Sequence, residues 1–269
     1  MAPPPKKSPD LDAQARTDGF SLSVIIITQN EAQDLPDCLA SVAWADEVVV
    51  VDSGSTDQTT TIARTHTEKV FEQPWLGFGP QKNYALDQST SQWVLSIDAD
   101  ERITPELAQE ILSTLPTTKH EAFTIPFKST FLGKPIRFGD WRRDRKLRLF
   151  RRSAGRFKDV PVHEKIVVEG TTGVMTHVIQ HHSYRDRDEI NEKTDRYATL
   201  GAQEAHANGR SANRVEAFNR CVMAFLRTYI IRLGFLDGRV GLLLARTIAR
   251  GTYLRYQRLA ALARSSSKA

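Results

Sequence analysis

Apolar and polar positions in the first half of the chain come in blocks. LSVIIIT (22–28) and EVVVVD (47–52) are continuous β-branched runs, the pattern of strands buried on both faces. WVLSID (93–98) has the same character. Between these runs the spacing changes to that of helices. Leu35, Leu39 and Val42 predict a helix over 32–43. Asp57 is placed to cap a helix that reaches Arg64. A short strand near 69–71 and a helix near 80–87 follow, and Thr104-Pro105-Glu106 marks a further helix start, with proline at the first helical position. Strand and helix in alternation predict an α/β fold with a mainly parallel central sheet and helices on both faces.

After Glu121 the pattern shifts. AFTIPF, KLRLF and KIVVE read as shorter strands with a polar or basic face, and 186–207 as a charged helix. From Val215 to about Leu262 two helical segments are expected, parted near Gly234–Gly238. The first eighteen residues are polar and Pro-rich and lack the apolar stretch of a secretory signal. The expected organisation is a disordered tail over 1–19, an α/β catalytic domain over 20–209 and a helical region over 210–269.

Four segments carry chemistry. Strand 22–28 ends at Thr28 and runs into Gln29-Asn30-Glu31; strand 47–52 ends at Asp52 and continues Ser53-Gly54-Ser55-Thr56-Asp57. Lys82 and Asn83 open a predicted helix, and Asp98 and Asp100 close the third apolar run. Open α/β sheets bind ligands beyond the carboxyl ends of their strands. Two carboxylates one residue apart at such an end offer hard oxygen ligands for Mg²⁺ or Mn²⁺ and a substrate phosphate; alone, the same pair also describes a solvated turn. Glu31 and Asp52 could accept hydrogen bonds from a nucleoside or serve as turn acids. Ser53, Gly54 and Ser55 form a tight turn that lets backbone approach a ligand. Lys82 could meet a phosphate at a helix start or stand as a surface lysine.

In order and spacing, these segments resemble the family 2 glycosyltransferases with the GT-A (Rossmann-like) fold. The resemblance implies a nucleotide-sugar donor, usually a UDP-sugar, held by the N-terminal half. It implies nucleoside contacts at Thr28, Glu31 and Asp52, a metal motif at Asp98 and Asp100, and transfer with inversion in one displacement. WADEVVVVDSGSTD, FEQPWLGFGPQKN, LSIDADER, KLRLFRR, VHEK, HHSY and GFLDGRVG extend the likeness to the lipopolysaccharide-core group. That group implies glucose from UDP-glucose passed to a core heptose of a lipid-anchored acceptor. The Pro-rich N-terminus departs from the pattern. An inverting transferase needs a base for the attacking hydroxyl. VPVHEK offers Glu164, with His163 to orient it, and Asp140 and Asp144 are rivals. Another phosphorylated or lipid-linked acceptor, or a catalytically silent membrane-binding chain, are the competing readings.

Charge sharpens the choice of partner. The net charge of +5 hides an asymmetry, because from Arg210 on twelve basic residues face only Glu216 and Asp237. No recognition helix or RNA-binding motif accompanies this basicity, so nucleic acid is not expected. Ten arginines and lysines between Arg137 and Lys158 could grip phosphates or form a solvated face. AFLRTYIIRLGFL (224–236) and VGLLLARTIA (240–249) are apolar but broken by arginine, and too short to span a bilayer. They predict helices lying at the inner-membrane surface or, alternatively, a hairpin packed on the domain or in a homo-oligomer. Two distant cysteines, Cys38 and Cys221, form no disulfide or metal pattern, and a cytoplasmic, membrane-peripheral location is expected.

Overall fold

The computed structural model describes residues 19–158 and 165–266; the expected tail through Asp18, and with it His163 and Glu164, lies outside that range. The alternating half forms as β1 (Leu22–Thr28), α1 (Leu35–Ser41), β2 (Glu47–Asp52), α2 (Thr59–Arg64), β3 (Val70–Glu72), α3 (Phe78–Gln88) and β4 (Trp93–Asp98). β5 (Glu101–Ile103), α4 (Pro105–Thr114), β6 (Ala122–Phe131), β7 (Lys134–Pro135) and β8 (Arg145–Arg151) follow. β9 (Gly155–Phe157), β10 (Ile166–Val168), β11 (Thr172–Val174) and β12 (Ile179–Ser183) precede the helices α5 (Arg187–Ala207), α6 (Arg214–Leu226) and α7 (Gly238–Ser266).

The main sheet runs β3-β2-β1-β4-β8-β6-β12-β5, with β7 and β11 alongside β6. β1 pairs in parallel with β2 and β4, while β8 joins β4 antiparallel. The sheet is therefore parallel where the apolar runs lie and mixed beyond them. Its order explains the doubly buried strands. Leu22, Val24 and Ile26 pack on one face with Leu35, Leu39, Ala63, Leu107 and Ile111 from α1, α2 and α4. Ile25 packs on the other with Val49, Val51 and α3 residues Ala85 and Leu86. Alternate residues of one strand thus feed two cores.

Several local expectations shift for physical reasons. The helix expected from 32 begins at Leu35, and the N–H groups of Glu31 and Ala32 before it donate to Thr59 Oγ1 (2.8 Å) and Asp57 Oδ2 (3.2 Å), tying this loop to the one after β2. KIVVE does form a strand, but among the described residues β10 pairs with β9 alone, in a separate two-stranded sheet. α4 starts as its sequence requires, Thr104 Oγ1 accepting the Leu107 N–H at 3.2 Å.

The chain divides into two compact units. The first holds the described residues through Phe127 and from Arg145 to His181; the second holds Lys128–Asp144 and the described residues from His182 on. In the second unit α7 packs against both α5 and α6. Phe131, Ile136, Ile190 and Leu244 form its apolar centre, where Trp141 stacks on Tyr184 at 6.3 Å. No described helix is long and apolar enough to cross a membrane.

Candidate active site

The strand order reverses at β1, which has β2 on one side and β4 on the other. Such a reversal opens a crevice at the carboxyl ends. Register places Thr28 opposite Asp52 and Ile27 opposite Asp98. With neighbouring strands ~4.8 Å apart, the backbones of Asp52, Thr28 and Asp98 line one short stretch of sheet rim.

The loops after β1 and β2 are laced together. Asn30, in the left-handed region at φ 58°, donates its N–H to Ser55 Oγ at 2.8 Å and accepts from the Thr56 N–H at 2.8 Å. Asn tolerates that conformation because its short amide bonds locally. The buried Asp52 accepts the N–H groups of Gly54 (2.9 Å) and Ser55 (2.7 Å) on Oδ2, and the Ser55 hydroxyl on Oδ1 at 2.5 Å. Gly54 has φ 89°, which a side chain would resist. Ser53 Oγ accepts from the buried Gln81 amide at 3.1 Å. Asp52 thus organises its own turn. Thr28 Oγ1 differs: it is buried and has no hydrogen-bond partner among the described residues. A buried polar atom of this kind at a crevice normally awaits a ligand or water.

The Asp98-Ala99-Asp100-Glu101 turn is the electrostatic centre. Asp98 Oδ1 accepts Lys82 Nζ at 2.8 Å, and Oδ2 accepts Arg148 Nη2 at 2.7 Å. Arg148 Nη2 also lies 2.6 Å from Glu101 Oε1, while Glu101 Oε2 accepts the Asp98 N–H at 3.0 Å. Burial alone would raise Asp98, but Arg148 and Lys82 hold its carboxyl well below the usual range. Burial raises the fully enclosed Glu101, with Arg148 opposing and Asp98 adding to the rise. Asn83, beside Lys82, exchanges two hydrogen bonds with the Phe157 backbone, at 2.9 and 3.0 Å. Lys82 is therefore a buried partner of the acid turn and not a surface lysine.

Asp100 faces another way. Its Oδ2 lies 3.4 Å from His181 Nε2, and one ligand atom each of Asp100, Glu101 and His181 fall within 4.8 Å of one another. Pairing of β12 with β5 sets this up, with His181 opposite Glu101. Burial lowers the His181 imidazole, but Asp100 and Glu101 outweigh it and raise it. Two carboxylate oxygens are hard donors that suit Mn²⁺ or Mg²⁺, and the imidazole beside them favours the transition-metal ion of the two. The structure thus sets the expected pair apart. Asp98 is tied to two cations, and Asp100 joins a histidine to which sequence reasoning gave no role, although HHSY was on view as a segment.

Three of the ten basic residues of 137–158 are tied to acids. Arg148 serves the acid turn, Arg151 pairs with Glu121 at 3.1 Å, and Arg156 grips Asp87 at 2.5 Å. Asp140 Oδ2 accepts from Arg227 Nη2 at 2.6 Å, and Arg232 Nη1 lies 2.9 Å from Oδ1 as an ion pair. Glu31 is half-buried beside its loop.

A mixed α/β sheet with an acidic turn at its point of reversal is the architecture of a glycosyltransferase of GT-A type. Residues 23–174 match Glycosyl transferase family 2, and the chain belongs to that family. It is 32% identical over 251 residues to the lipopolysaccharide core biosynthesis glycosyltransferase LpsC of Rhizobium meliloti (strain 1021), covering 87% of this chain and 93% of that one. An uncharacterized glycosyltransferase of Rickettsia prowazekii (strain Madrid E) is 28% identical, over 88% of this chain and 86% of its own. Among solved structures, a glucosyl-3-phosphoglycerate synthase from Mycobacterium tuberculosis in complex with Mg²⁺ and UDP is similar at TM-score 0.46 and 17% identity, covering 77% and 85%.

Proposed function

We propose that the chain is an inverting, metal-dependent hexosyltransferase that moves glucose from UDP-glucose to a hydroxyl of a lipid-anchored lipopolysaccharide core, at its heptose region. The relative LpsC, named for lipopolysaccharide core biosynthesis, supports the acceptor class, because the likeness runs over nearly the whole of both chains. The observation that carries the chemistry is the crevice at the end of β1. Strand register sets Thr28, with its unsatisfied Oγ1, level with Asp52 on one side and next to the residue level with Asp98 on the other, which supports a shared rim for the donor.

In this reading Thr28, Asn30, Glu31 and the Ser53-Gly54-Ser55 turn receive the nucleoside. Asp100 and His181, with Glu101 behind them, hold Mn²⁺ or Mg²⁺. A bound divalent ion would neutralise charge on the departing diphosphate. Lys82 and Arg148 fix the Asp98 carboxylate as an anion, able to accept a hydroxyl of the donor sugar. Glu164 acts as base, assisted by His163. Asp140, held between two guanidinium groups, has the contacts of a positioning acid, and Asp144 stays the rival base. The acceptor's lipid anchor places the enzyme at the cytoplasmic face of the inner membrane.

The test is turnover of UDP-glucose with a defined core acceptor, product mass and anomeric configuration being read with Mg²⁺, Mn²⁺ or EDTA. Transfer is expected with metal and not with EDTA. The double substitution Asp98→Asn, Asp100→Asn should abolish it, and full activity in that variant refutes the mechanism.

A further inference from the structure

Helix α6 is built inside out. Its buried positions are small, Ala217 and Ala224, and Thr228 continues that row into the π-helical turn Arg227–Ile231. Its large side chains face solvent instead, Phe218 at 61% and Met223 at 59% exposure. A helix of a soluble domain ordinarily turns its bulky apolar face to the core. The exposed row runs on through Ile230 and Ile231 into the 3₁₀ turn Gly234–Asp237, where Phe235 and Leu236 are also exposed. α7, equally apolar in sequence, behaves normally and buries Leu244, Ala245, Ala249 and Leu259. The bulky exposure is therefore concentrated in residues 215–236.

A contiguous apolar surface of this kind marks a partner or a bilayer. Charge decides between them. Arg220, Arg227, Arg232 and Arg239, all exposed, are interleaved with the apolar positions. Glu216 pairs with Arg220 at 3.1 Å, Asp140 is shared by Arg227 and Arg232, and Asp237 is engaged by the N–H of Phe138 at 2.9 Å, which leaves four guanidinium groups to three carboxylates and the surface with an excess of positive charge. A symmetric pairing of two copies sets a surface against its own image and would bring these arginines together. Anionic head groups complement them, and an acyl boundary accepts the side chains between them.

We infer that residues 215–236 form a docking surface that seats this chain on an anionic bilayer, with Phe218, Met223, Ile230, Ile231, Phe235 and Leu236 entering the acyl boundary. The inference deepens the proposed action on a lipid-anchored acceptor and is tested apart from catalysis. Docking also has a reach within its own unit. Asp237 binds the N–H groups of Arg137 and Phe138, and Asp140 binds Arg227 and Arg232. The bilayer-facing turn therefore holds the basic loop 137–143.

The full chain is sedimented with phosphatidylcholine vesicles with or without phosphatidylglycerol. Wild type should bind the phosphatidylglycerol vesicles, and the variant Phe218→Ser, Ile231→Ser should lose roughly tenfold or more of that binding, since both side chains are apolar and exposed. Nucleotide-sugar turnover with a soluble acceptor should be unchanged. Wild type that ignores anionic vesicles, a double variant that binds as well as wild type, or a wild-type dimer that this variant makes monomeric would each overturn the inference. Should the double variant misfold, Ile231→Trp gives an independent reading: its added emission should be quenched by brominated anionic lipid, and no added quenching overturns the inference. Absent turnover with intact vesicle binding would defeat the enzymatic reading alone.

Discussion

Glu101 shows how one residue can depend on its partner. It is wholly enclosed, and its charge is met by Arg148 and one backbone N–H. Removing one member of a buried pair leaves the other uncompensated, which costs about 3–5 kcal/mol. Arg148→Met should therefore lower unfolding free energy in urea by about that amount, and Glu101→Gln added to it should restore part of the loss. A double variant no more stable than Arg148→Met would show the pair to be energetically idle. Cys38 supplies a second residue-level case. Burial, opposed by Arg102, pushes its thiol well above the ordinary value, so the reactive thiolate is scarce at neutral pH. A thiol-specific reagent should label the half-exposed Cys221 in the native protein and Cys38 only on unfolding. Prompt double labelling would contradict that burial.

At the level of elements, the turn between α6 and α7 rests on a close approach that only glycine allows. A Cβ on Gly241 would sit 1.9 Å from the Gly234 carbonyl oxygen, so backbone must move. Gly241→Ala should cost roughly 1–3 kcal/mol despite alanine's better helix propensity, read as a fall in melting temperature; an unchanged or higher melting temperature would contradict the contact. The loop 137–143 depends on the same turn through Asp237. Asp237→Asn keeps the shape but weakens two charge-assisted bonds to N–H groups. Faster tryptic cleavage after Arg142 is expected, with α7 intact by circular dichroism; unchanged cleavage would argue against the tie.

The stability of the whole chain should fall in acid through identifiable carboxylates. Burial would raise Glu47, Glu110 and Glu189, yet hydrogen bonds from Lys69, from the backbone at Thr176 and His177, and from Lys193 leave all three below their ordinary value of 4.5. A group depressed on folding contributes stability above its unfolded value and loses it as pH falls through the folded one. Unfolding free energy should thus decline from about pH 5 downward. Glu110→Gln should flatten that decline while lowering stability at pH 7; an unaltered slope would remove Glu110 from the account.

Much of the site's framework is legible in the chain alone because its signals are local. A β-branched run is a strand buried on both faces wherever it packs, and acids that end such runs must lie at the sheet's carboxyl rim. Thr28, Asp52, Asp98 and Asp100 could therefore be marked without coordinates. Folding alone decided which of them would meet. His181 reaches Asp100 only because β12 returns to pair with the short strand β5, a contact between distant segments that periodicity does not encode. Lys82, marked in sequence as a phosphate contact or a surface lysine, and Arg148, one of ten clustered basic residues, are drawn under the acid turn by helix packing and antiparallel pairing. Two C-terminal segments alike in apolar and arginine content part in the same way. α7 has neighbours on two sides, the buried positions of α6 are alanines, and the bulky residues left outside are visible only once the helices are packed.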